Sequence, residues 1–390
     1  MTKTDRVVLV HPPSPKGMTA NREGFGGLGT VVRGSRGFVY PAMRLAEAAA
    51  EFRSRGFAIS VADFIHAPLR ARLGVGAAFR KSPWLVLVSP ATLAFDLEWL
   101  ARHLPKGTPL FLLGIGLAEA QEIRLRGETV AFSDAADGHT AARSFLGEAS
   151  LSGGEEPPFA NWELVPLGRK RRLPIFHARG CTLACNYCPY VYATKRQVMK
   201  RAVVRTLAEW DYQCARHRPR RVVFRDPTFG LNASDALELL SGLADRVHNS
   251  ATPFEIETRG DLITPELAEA LRRAGCVEVK LGIESDDPSW LQATHRLQEG
   301  QDPEDYSVRI RASVGHLSRA GIFVRGYTLA PGSSAPRKHA MFQVSEMVRK
   351  EFLDPRPRTH ILQSIREFGH GDAVVFGCAD SLGPSRRDGA

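Results

Sequence analysis

The sequence contains no long apolar run and few cysteines. No stretch approaches the roughly 18 apolar residues of a membrane span, and the start of the chain leads only into Val7–Val10, which is too short for the apolar region of a signal peptide. Six cysteines among 390 residues do not make a disulfide framework. These absences predict a cytoplasmic protein without a membrane partner.

The sequence also lacks a recognisable nucleic-acid-binding module, although its net charge is +10. Its basic clusters, Arg169–Arg172 and Arg218–Arg221, have no aromatic residues interleaved with them. We interpret the charge as a solvated basic surface and do not predict a nucleic-acid partner. An anionic substrate or a nucleic acid is the alternative interpretation.

What is present is the composition of a globular chain, 43% hydrophobic and 24% charged. Two domains are expected, since domains commonly hold roughly 100–200 residues. In residues 1–150, short apolar runs alternate with helical periodicity, which predicts an α/β fold with a doubly wound, Rossmann-like parallel sheet. The candidate strands of this domain are Arg6–His11, Ala58–Phe64, Trp84–Val88, Leu110–Leu113 and Thr129–Phe132.

Residues 151–172 are rich in Gly and Pro, which predicts a linker. Residues 173–369 hold a second alternating series, which predicts a partial (β/α)6 barrel, and residues 370–390 are expected to be a C-terminal tail. The candidate strands of the barrel are Ile175–His177, Val222–Arg225, Phe254–Glu257, Val277–Leu281, Phe323–Leu329 and Thr359–Leu362.

The strand ends of the first domain indicate where a ligand would bind. Ligands of doubly wound sheets lie beyond the carboxyl ends of the strands. Residues 24–29 match G-x-G-x-x-G but lie far from the first strand, so a flexible loop is favoured over a dinucleotide loop, with contact to a ring-shaped cofactor as a third interpretation. The predicted ligand-binding edge comprises His11, Ser89, Thr92, Gly114 and Gly116.

Three cysteines carry the strongest chemical signal. Cys181, Cys185 and Cys188 have the spacing C-x₃-C-x₂-C just after the first strand of the barrel. Three thiolates on one loop can hold three irons of a [4Fe–4S] cluster and leave the fourth iron open to another ligand. A zinc site and three unligated thiols are the competing interpretations. Cys214 and Cys276 lie in a helix and at a turn, and we expect them to be buried structural thiols.

This cysteine loop resembles that of the radical S-adenosylmethionine (SAM) enzymes. Three downstream segments resemble motifs of the same family: Val222–Phe229, Glu257–Asp261 and Leu281–Ser285. The resemblance implies that Cys181, Cys185 and Cys188 bind the cluster and that SAM binds the open iron. The residues it implies near SAM are Tyr187, Asp226, Glu257, Arg259, Glu284 and Ser285.

Residues 6–150 resemble the cobalamin-binding domain of the B12-dependent class of radical SAM enzymes. The resemblance implies that His11, Ser89, Thr92, Gly114 and Gly116 lie near cobalamin. The segment Asp137–Ala142 imitates the D-x-H-x-x-G motif in which a histidine ligates cobalt, but it follows the fifth strand and ends in alanine. We therefore interpret Asp137 as a helix N-cap and His139 as an exposed residue.

The resemblance implies an enzyme that cleaves SAM reductively to a 5′-deoxyadenosyl radical. The leading hypothesis is a cobalamin-dependent C-methyltransferase acting on a small or natural-product-like substrate, with an electron donor such as flavodoxin or ferredoxin. The first alternative is a cobalamin-free radical SAM enzyme that catalyses a rearrangement, cyclisation or redox step. The second is a non-catalytic iron–sulfur protein that binds nucleic acid or acts as a sensor.

Overall fold

The computed structural model describes residues 6–34, 39–72, 81–117, 122–149, 156–186, 188–246, 252–285, 287–298, 300–329 and 348–353. Its contacts divide the chain into unit 1, which runs to Lys170, and unit 2, Arg171–Arg358. This division falls inside the predicted linker. No helix in these ranges combines the length and apolar character needed to cross a membrane. Tyr187, the predicted strand at residues 359–362 and the predicted tail lie outside the described residues.

Unit 1 is an α/β unit. Its elements in chain order are β1 Arg6–His11, β2 Met18–Asn21, β3 Thr30–Arg33, α1 Met43–Ser54, β4 Ala58–Asp63, α2 Pro68–Arg72, β5 Trp84–Leu87, α3 Leu93–His103, β6 Leu110–Leu113, β7 Arg124–Leu125, β8 Glu128–Thr129, β9 Ala131–Ser133 and α4 Gly138–Phe145.

The main sheet of unit 1 is parallel, with strand order β4-β1-β5-β6-β9. β1 is apolar and buried almost throughout, as expected for a central strand covered on both faces. It ends at Pro12 and Pro13, which have no backbone N–H to continue the ladder. This order corresponds to 2-1-3-4-5 among the sheet strands, and its topological switch point lies between β1 and β5. The predicted parallel sheet is therefore present, and its strand order is one of those found in doubly wound folds.

Helices α1 and α4 of unit 1 pack closely through Gly138. A Cβ at this position would lie 1.8 Å from the carbonyl oxygen of Arg44. The Gly138 N–H donates to Glu47 (2.9 Å). Asp137 caps α4, as predicted, by accepting from the backbone N–H of Thr140 (2.8 Å). Backbone and side-chain contacts thus hold the two helices together.

The prediction that His139 is exposed is wrong. His139 is buried, and its Nδ1 lies 3.2 Å from a carboxylate oxygen of Glu51 in α1. Burial opposes charge on Glu51, but His139 and Arg143 outweigh it and lower the pKa of this carboxyl to about 2. The histidine therefore belongs to the contact between α1 and α4.

Unit 2 is also an α/β unit. Its elements in chain order are β10 Arg172–Ile175, β11 Ala178–Gly180, α5 Pro189–Thr194, β12 Val198–Lys200, α6 Val203–His217, β13 Arg221–Phe224, α7 Ala233–Ala244, β14 Phe254–Arg259, α8 Pro265–Arg273, β15 Cys276–Glu284, α9 Pro288–Ala293, α10 Pro303–Arg319, β16 Phe323–Leu329 and β17 Val348–Leu353.

Among the described residues, the main sheet of unit 2 has six parallel strands in the order β10-β13-β14-β15-β16-β17. Sequential parallel order is the order of a (β/α) barrel. Five of these strands overlap predicted ones. The sixth, Val348–Leu353, was not predicted.

The two faces of this sheet differ in polarity. In β14, Phe254 and Ile256 alternate with the buried Glu255 and the partly buried Glu257, as the two-residue period of a strand requires. The apolar face packs on helix α6, where Trp210 lies 5.9 Å from Phe254 between ring centroids. Since helices cover the apolar face, charged side chains collect on the other face.

Ion pairs neutralise the charged face. Glu255 bonds Lys280 (2.8 Å) and Arg221 (2.8 Å). Glu278 bonds Arg221 (2.6 Å) and Arg325 (2.8 Å). Burial disfavours charge on Glu255, but Lys280 and Arg221 outweigh it and lower its pKa. Four neighbouring strands, β13 to β16, are joined by these contacts.

Replacement of Gly138 by alanine is expected to destabilise unit 1. The new methyl group would collide with backbone, which cannot rotate away, so the cost should reach about 3 kcal/mol, the upper end for overpacking. Gly147→Ala is the control, because its φ of +72° is strained but nothing lies within 4 Å of the new atom. It should cost about 1–2 kcal/mol. Urea unfolding followed by circular dichroism measures both values, and equal costs would contradict the steric argument.

Candidate iron–sulfur and cofactor site

A small hairpin presents the cysteine loop. Strands β11 and β12 pair antiparallel, with Gly180 opposite Val198. Gly180 has a φ of +90°, and a Cβ there would lie 1.9 Å from the carbonyl oxygen of Gln197. Only glycine fits this position, and Cys181 follows it directly. The hairpin therefore determines where the loop begins.

The three predicted cluster ligands lie near one another. Cys181 and Cys185 are buried and Cys188 is partly buried. Cys188 donates its backbone N–H to the carbonyl of Cys185 (3.1 Å). Burial, together with the neighbouring Cys185 and Cys181, raises the pKa of the Cys188 thiol to about 12. Thiols in this state become ligands only when a metal displaces the proton, as thiolate coordination to iron does.

Helix α9 anchors the middle of the loop. Asn186 donates its backbone N–H to Thr294 (3.1 Å) and its side-chain amide to Ala293 (3.1 Å). The helix itself begins at a cap, because Asp287 accepts from the backbone N–H of Ser289 (2.9 Å). The segment between Cys185 and Cys188 is therefore tied to the end of a helix that follows β15.

Asp226 supports the hairpin from the end of β13. Its two carboxylate oxygens accept from the backbone N–H groups of His177 (2.9 Å) and Ala178 (2.8 Å). Burial raises the pKa of Asp226 to about 7, against the lowering effect of these two bonds. The resemblance implied a place near SAM for this residue. Its contacts in the structure are those of a positioning residue for the cysteine hairpin.

Arg259 lies beside the cysteines. This buried guanidinium at the end of β14 has its Nη1 3.8 Å from the Sγ of Cys185. It bonds Asp261 through two parallel contacts of 2.8 Å and the carbonyl of Arg296 at 2.9 Å. Burial disfavours charge on Asp261, but Arg259 outweighs it and lowers the pKa of that carboxyl. A fixed positive charge is thereby placed next to the sulfur of a predicted cluster ligand.

Glu284 lies at the strained end of β15. Its φ is +66°, which is rare for a residue with a side chain. A Cβ at Gly282 would lie 2.7 Å from Glu284 Oε1, so glycine leaves room for this side chain. Arg296 Nη1 lies 3.7 Å from the same oxygen. Backbone strain of this kind concentrates at functional sites.

Arg296 and Tyr306 complete this region, and sequence reasoning missed both. Arg296 donates to the carbonyl of Gly282 (2.8 Å) and to the hydroxyl of Tyr306 (2.9 Å). Tyr306 donates to the carbonyl of Ile283 (3.1 Å), and burial raises its pKa to about 12. Neither residue belongs to a motif. The position of Tyr306 on the buried face of α10 was the only available signal.

Two further residues that the resemblance implied near SAM, Glu257 and Ser285, lie in the described part of the chain. Glu257 lies on the charged face of β14, and Ser285 is buried just after β15, where its hydroxyl accepts from the N–H of Asp287 (3.1 Å). Glu257, Arg259, Glu284 and Ser285 thus all lie on, or directly after, β14 and β15. Asp226 lies beyond the adjacent strand, β13.

A buried ion pair joins the loops at the carboxyl edge of unit 1. Arg22 and Asp96 are both buried, with contacts of 3.0 and 2.5 Å. Arg22 also donates to the carbonyls of Pro12 (2.9 Å) and Pro13 (3.0 Å) after β1. Thr92, after β5, donates to Asp96 (2.6 Å). The two strands that flank the switch point are therefore connected through one carboxylate.

Ser89 and Gly29 extend this edge. The hydroxyl of Ser89 lies 2.9 Å from that of Thr92. A Cβ at Gly29 would lie 2.1 Å from the Ser89 hydroxyl oxygen, and Gly29 has a φ of +83°. Gly24 accepts from the N–H groups of Gly27 (2.9 Å) and Gly29 (3.0 Å). The glycine-rich segment is therefore packed against the sheet edge at Gly29.

The remaining edge residues fall into two places. Gly114 directly follows β6, and a Cβ there would lie 2.8 Å from the carbonyl of Val88; Gly116 lies just beyond it. His11, the last residue of β1, is buried against Asp63 at the end of β4, at 3.4 Å. The contacts of His11 are thus with β4, on the side of β1 away from β5.

Residues 175–334 match the profile of the radical SAM superfamily. The three cysteines and the neighbouring strand ends lie inside this match. This segment is a radical SAM domain. Enzymes of this superfamily use a [4Fe–4S] cluster and SAM, as the resemblance of the cysteine loop implied.

Two curated relatives resemble part of the chain. An uncharacterized methyltransferase of Pyrococcus horikoshii is 23% identical over 178 residues, which are 44% of this chain and 38% of the relative. The hopanoid C-2 methylase of Rhodopseudomonas palustris is 25% identical over 170 residues, 43% of this chain and 32% of the methylase. The matched segment is thus about a third of each relative's length.

Two solved enzymes share the fold of most of the chain. The radical SAM methyltransferase TsrM from Kitasatospora setae, solved with cobalamin and a [4Fe–4S] cluster, has a TM-score of 0.55 at 14% identity and covers 84% of this chain and 67% of its own. The cobalamin-dependent radical SAM enzyme OxsB has a TM-score of 0.58 at 16% identity and covers 84% of this chain and 49% of its own. The α/β fold is therefore confirmed beyond the radical SAM domain.

Replacement of Arg259 by methionine is expected to destabilise the radical SAM domain. The change leaves the buried Asp261 without its bidentate partner, which should lower the free energy of unfolding by about 3–5 kcal/mol. The double variant Arg259→Met/Asp261→Leu should recover most of this loss. With the cluster rebuilt, it should also have a lower reduction potential than the wild type, because a positive charge near a ligand sulfur is gone.

Arg272→Met is the matched control for Arg259, since Arg272 is exposed and bonds Glu269 (2.6 Å) on the surface of α8. It should change neither stability nor potential. Urea unfolding and protein-film voltammetry measure the two quantities. An unchanged potential in the double variant would show that Arg259 does not act on the cluster.

Asp226 is expected to make the stability of the radical SAM domain depend on pH. Its pKa of about 7 in the folded state exceeds the ordinary value of 3.8. The carboxyl therefore favours the fold most at low pH, and this contribution is lost as the pH rises to about 7.

Relative to Asp226→Asn, the wild type should lose up to about 1.4 kcal/mol of unfolding free energy per pH unit in that range. Urea unfolding at a series of pH values measures the difference. The exposed Asp211, changed to asparagine, is the control and should keep the wild-type dependence. Parallel curves for the wild type and Asp226→Asn would contradict the shifted pKa.

Proposed function

We propose that this chain is a cobalamin-dependent radical SAM methyltransferase that transfers a methyl group to carbon in a small or natural-product-like substrate. The shared fold with TsrM and OxsB supports the proposal, because the similarity extends over 84% of the chain and thus beyond the radical SAM domain. TsrM has been solved with tryptophan as substrate, which supports a small molecule here.

The observation that carries the proposal is the carboxyl edge of unit 1. A parallel sheet of order 2-1-3-4-5 binds its ligand at the switch point between β1 and β5. At that point Arg22 and Asp96 form a buried ion pair. Arg22 donates to the carbonyl of Pro12, and Asp96 accepts from the hydroxyl of Thr92. The close approach of Gly29 to Ser89 shows that the glycine-rich segment packs directly on this edge. We assign cobalamin to this edge, near Ser89, Thr92, Gly114 and Gly116.

The cysteine loop fits the iron–sulfur cluster. Cys181, Cys185 and Cys188 would each bind one iron, and the strand ends that carry Glu257, Glu284 and Ser285 would contact SAM. When bound, the cluster and SAM supply a 5′-deoxyadenosyl radical, and cobalamin supplies a transferable methyl group.

The protein's own residues would position these groups. Asp226 holds the hairpin through two backbone bonds, and Arg259 keeps a positive charge at the Cys185 sulfur. His139, in the imitation of the cobalt-ligating motif, is bonded to Glu51 within the helix pair. We therefore expect cobalamin to bind without a ligand from the segment Asp137–Ala142. A one-electron donor such as flavodoxin or ferredoxin would be the partner, in the cytoplasm.

The test is cofactor content and SAM cleavage in protein purified anaerobically, with its cluster rebuilt and cobalamin supplied. The wild type should hold stoichiometric cobalamin and, once reduced, form 5′-deoxyadenosine from SAM. Cys185→Ser should abolish 5′-deoxyadenosine formation and keep cobalamin, because the two cofactors bind different units. Cys276→Ala, which removes a buried thiol outside the motif, should keep both.

The possible results separate the three hypotheses. SAM cleavage without bound cobalamin would contradict the methyltransferase proposal and favour a rearrangement, cyclisation or redox enzyme. An intact cluster without any SAM cleavage would favour the non-catalytic iron–sulfur protein. Transfer of a deuterated methyl group from labelled SAM to carbon of a substrate would establish the reaction.

A further inference from the structure

A cluster of potential metal ligands lies at the carboxyl edge of unit 1, between β1 and β4, whereas the proposed cobalamin site lies between β1 and β5. His11 ends β1 and Asp63 ends β4, and the two residues are register partners in the parallel sheet. Their side chains therefore leave the sheet on the same side. His66 follows in the turn after β4. One ligand atom from each of the three residues lies within 4.8 Å of those of the other two.

Several polar atoms of this cluster are buried without a partner in the described part of the chain. His11 is fully buried; its Nδ1 lies 3.4 Å from Asp63 Oδ1 without hydrogen-bond geometry, and its Nε2 has no hydrogen bond in the described residues. Asp63 Oδ1 accepts from the N–H groups of Ile65 (2.8 Å) and His66 (2.7 Å), but Oδ2 has no such bond. A buried polar atom without a hydrogen bond destabilises the fold, because it has lost its bonds to water. A bound ligand would offset this destabilisation.

The third residue is oriented as metal-binding histidines commonly are. His66 Nε2 lies 3.1 Å from the carbonyl oxygen of Tyr40. A carbonyl only accepts, so Nε2 carries the proton and the neutral ring presents the lone pair of Nδ1. Metal-ligating histidines generally donate their other N–H to such a group. A Cβ at Gly168 would lie 2.6 Å from Nδ1, so Gly168 packs against this side of the ring and a larger residue would not fit there.

We propose that His11, the Oδ2 atom of Asp63 and Nδ1 of His66 bind a divalent transition-metal ion such as Zn²⁺. Two imidazoles and one carboxylate are a common ligand set for zinc, and three protein ligands leave one coordination position open. Zinc bonds of about 2.0–2.2 Å require the three ligand atoms to approach one another more closely than they do in the structure. This site goes beyond the proposed function, since neither the cluster, SAM nor cobalamin requires it.

A metal ion here would connect three segments of unit 1. His66 is already held to one of them through the carbonyl of Tyr40. The ion would join the end of β1, the end of β4 and the segment at Tyr40.

The test uses the full chain with its cluster rebuilt, so that the three loop cysteines are occupied. After dialysis against buffered Zn²⁺, zinc and iron per chain are measured by mass spectrometry. The wild type should bind one zinc. Asp63→Asn and His11→Ala should lose at least about tenfold in affinity, the scale on which even an outer partner of a metal ligand matters.

His103→Ala is the matched control and should keep the wild-type zinc content. His103 also contacts a carbonyl through its ring, that of Trp99 at 2.8 Å, but it is exposed at the end of α3. Retained iron and an unchanged circular dichroism spectrum show that each variant is folded. Zinc should also raise the melting temperature of the wild type and not that of Asp63→Asn.

X-ray absorption at the zinc edge decides the site independently of the variants. Only nitrogen and oxygen neighbours, with the scattering pattern of two imidazoles, would support the proposal. Sulfur neighbours would place the zinc on cysteines and overturn it. A wild type that binds no zinc, or an Asp63→Asn variant that is folded and binds zinc as tightly as the wild type, would overturn it as well.

Discussion

Parallel strand pairing is the constraint on which both candidate sites depend. In each unit the strands of the main sheet run in one direction, so their carboxyl ends collect at one edge. In unit 2 this edge brings Asp226 to the cysteine hairpin and Arg259 to Cys185. In unit 1 it brings the loops after β1 and β5 to the pair of Arg22 and Asp96. Residues distant in sequence thereby become neighbours without any special local motif.

Buried guanidinium groups then hold these edges in shape. Arg22 and Arg259 each bond one carboxylate through two contacts and also donate to carbonyls of another segment. Such pairs gain little net stability, because desolvation offsets the attraction between charges. Their geometry is demanding, however, because the planar guanidinium donates its hydrogen bonds within its own plane, and its partners must lie there. The arginines thus limit the positions that the surrounding loops can take.

The sequence predicted local features well and long-range contacts poorly. The cysteine loop, the cap at Asp137 and the parallel sheet of unit 1 follow from spacing and periodicity over a few residues. The burial of His139 could not be predicted, because its partner Glu51 is 88 residues away on another helix. Arg296 and Tyr306 were missed for the same reason. The role of Asp226 required the fold, because its motif shows neither the hairpin nor the direction of its carboxylate.

The ion pairs on the charged face of the unit 2 sheet have a consequence for strand alignment. A strand that slips by one residue turns every side chain to the opposite face. In β14 and β15 such a slip would drive Glu255 and Lys280 into the apolar layer beneath the helices and separate them from Arg221. The misaligned chain would bury unpaired charge. The ion pairs therefore make every shifted alignment of β14 and β15 less stable than the native one.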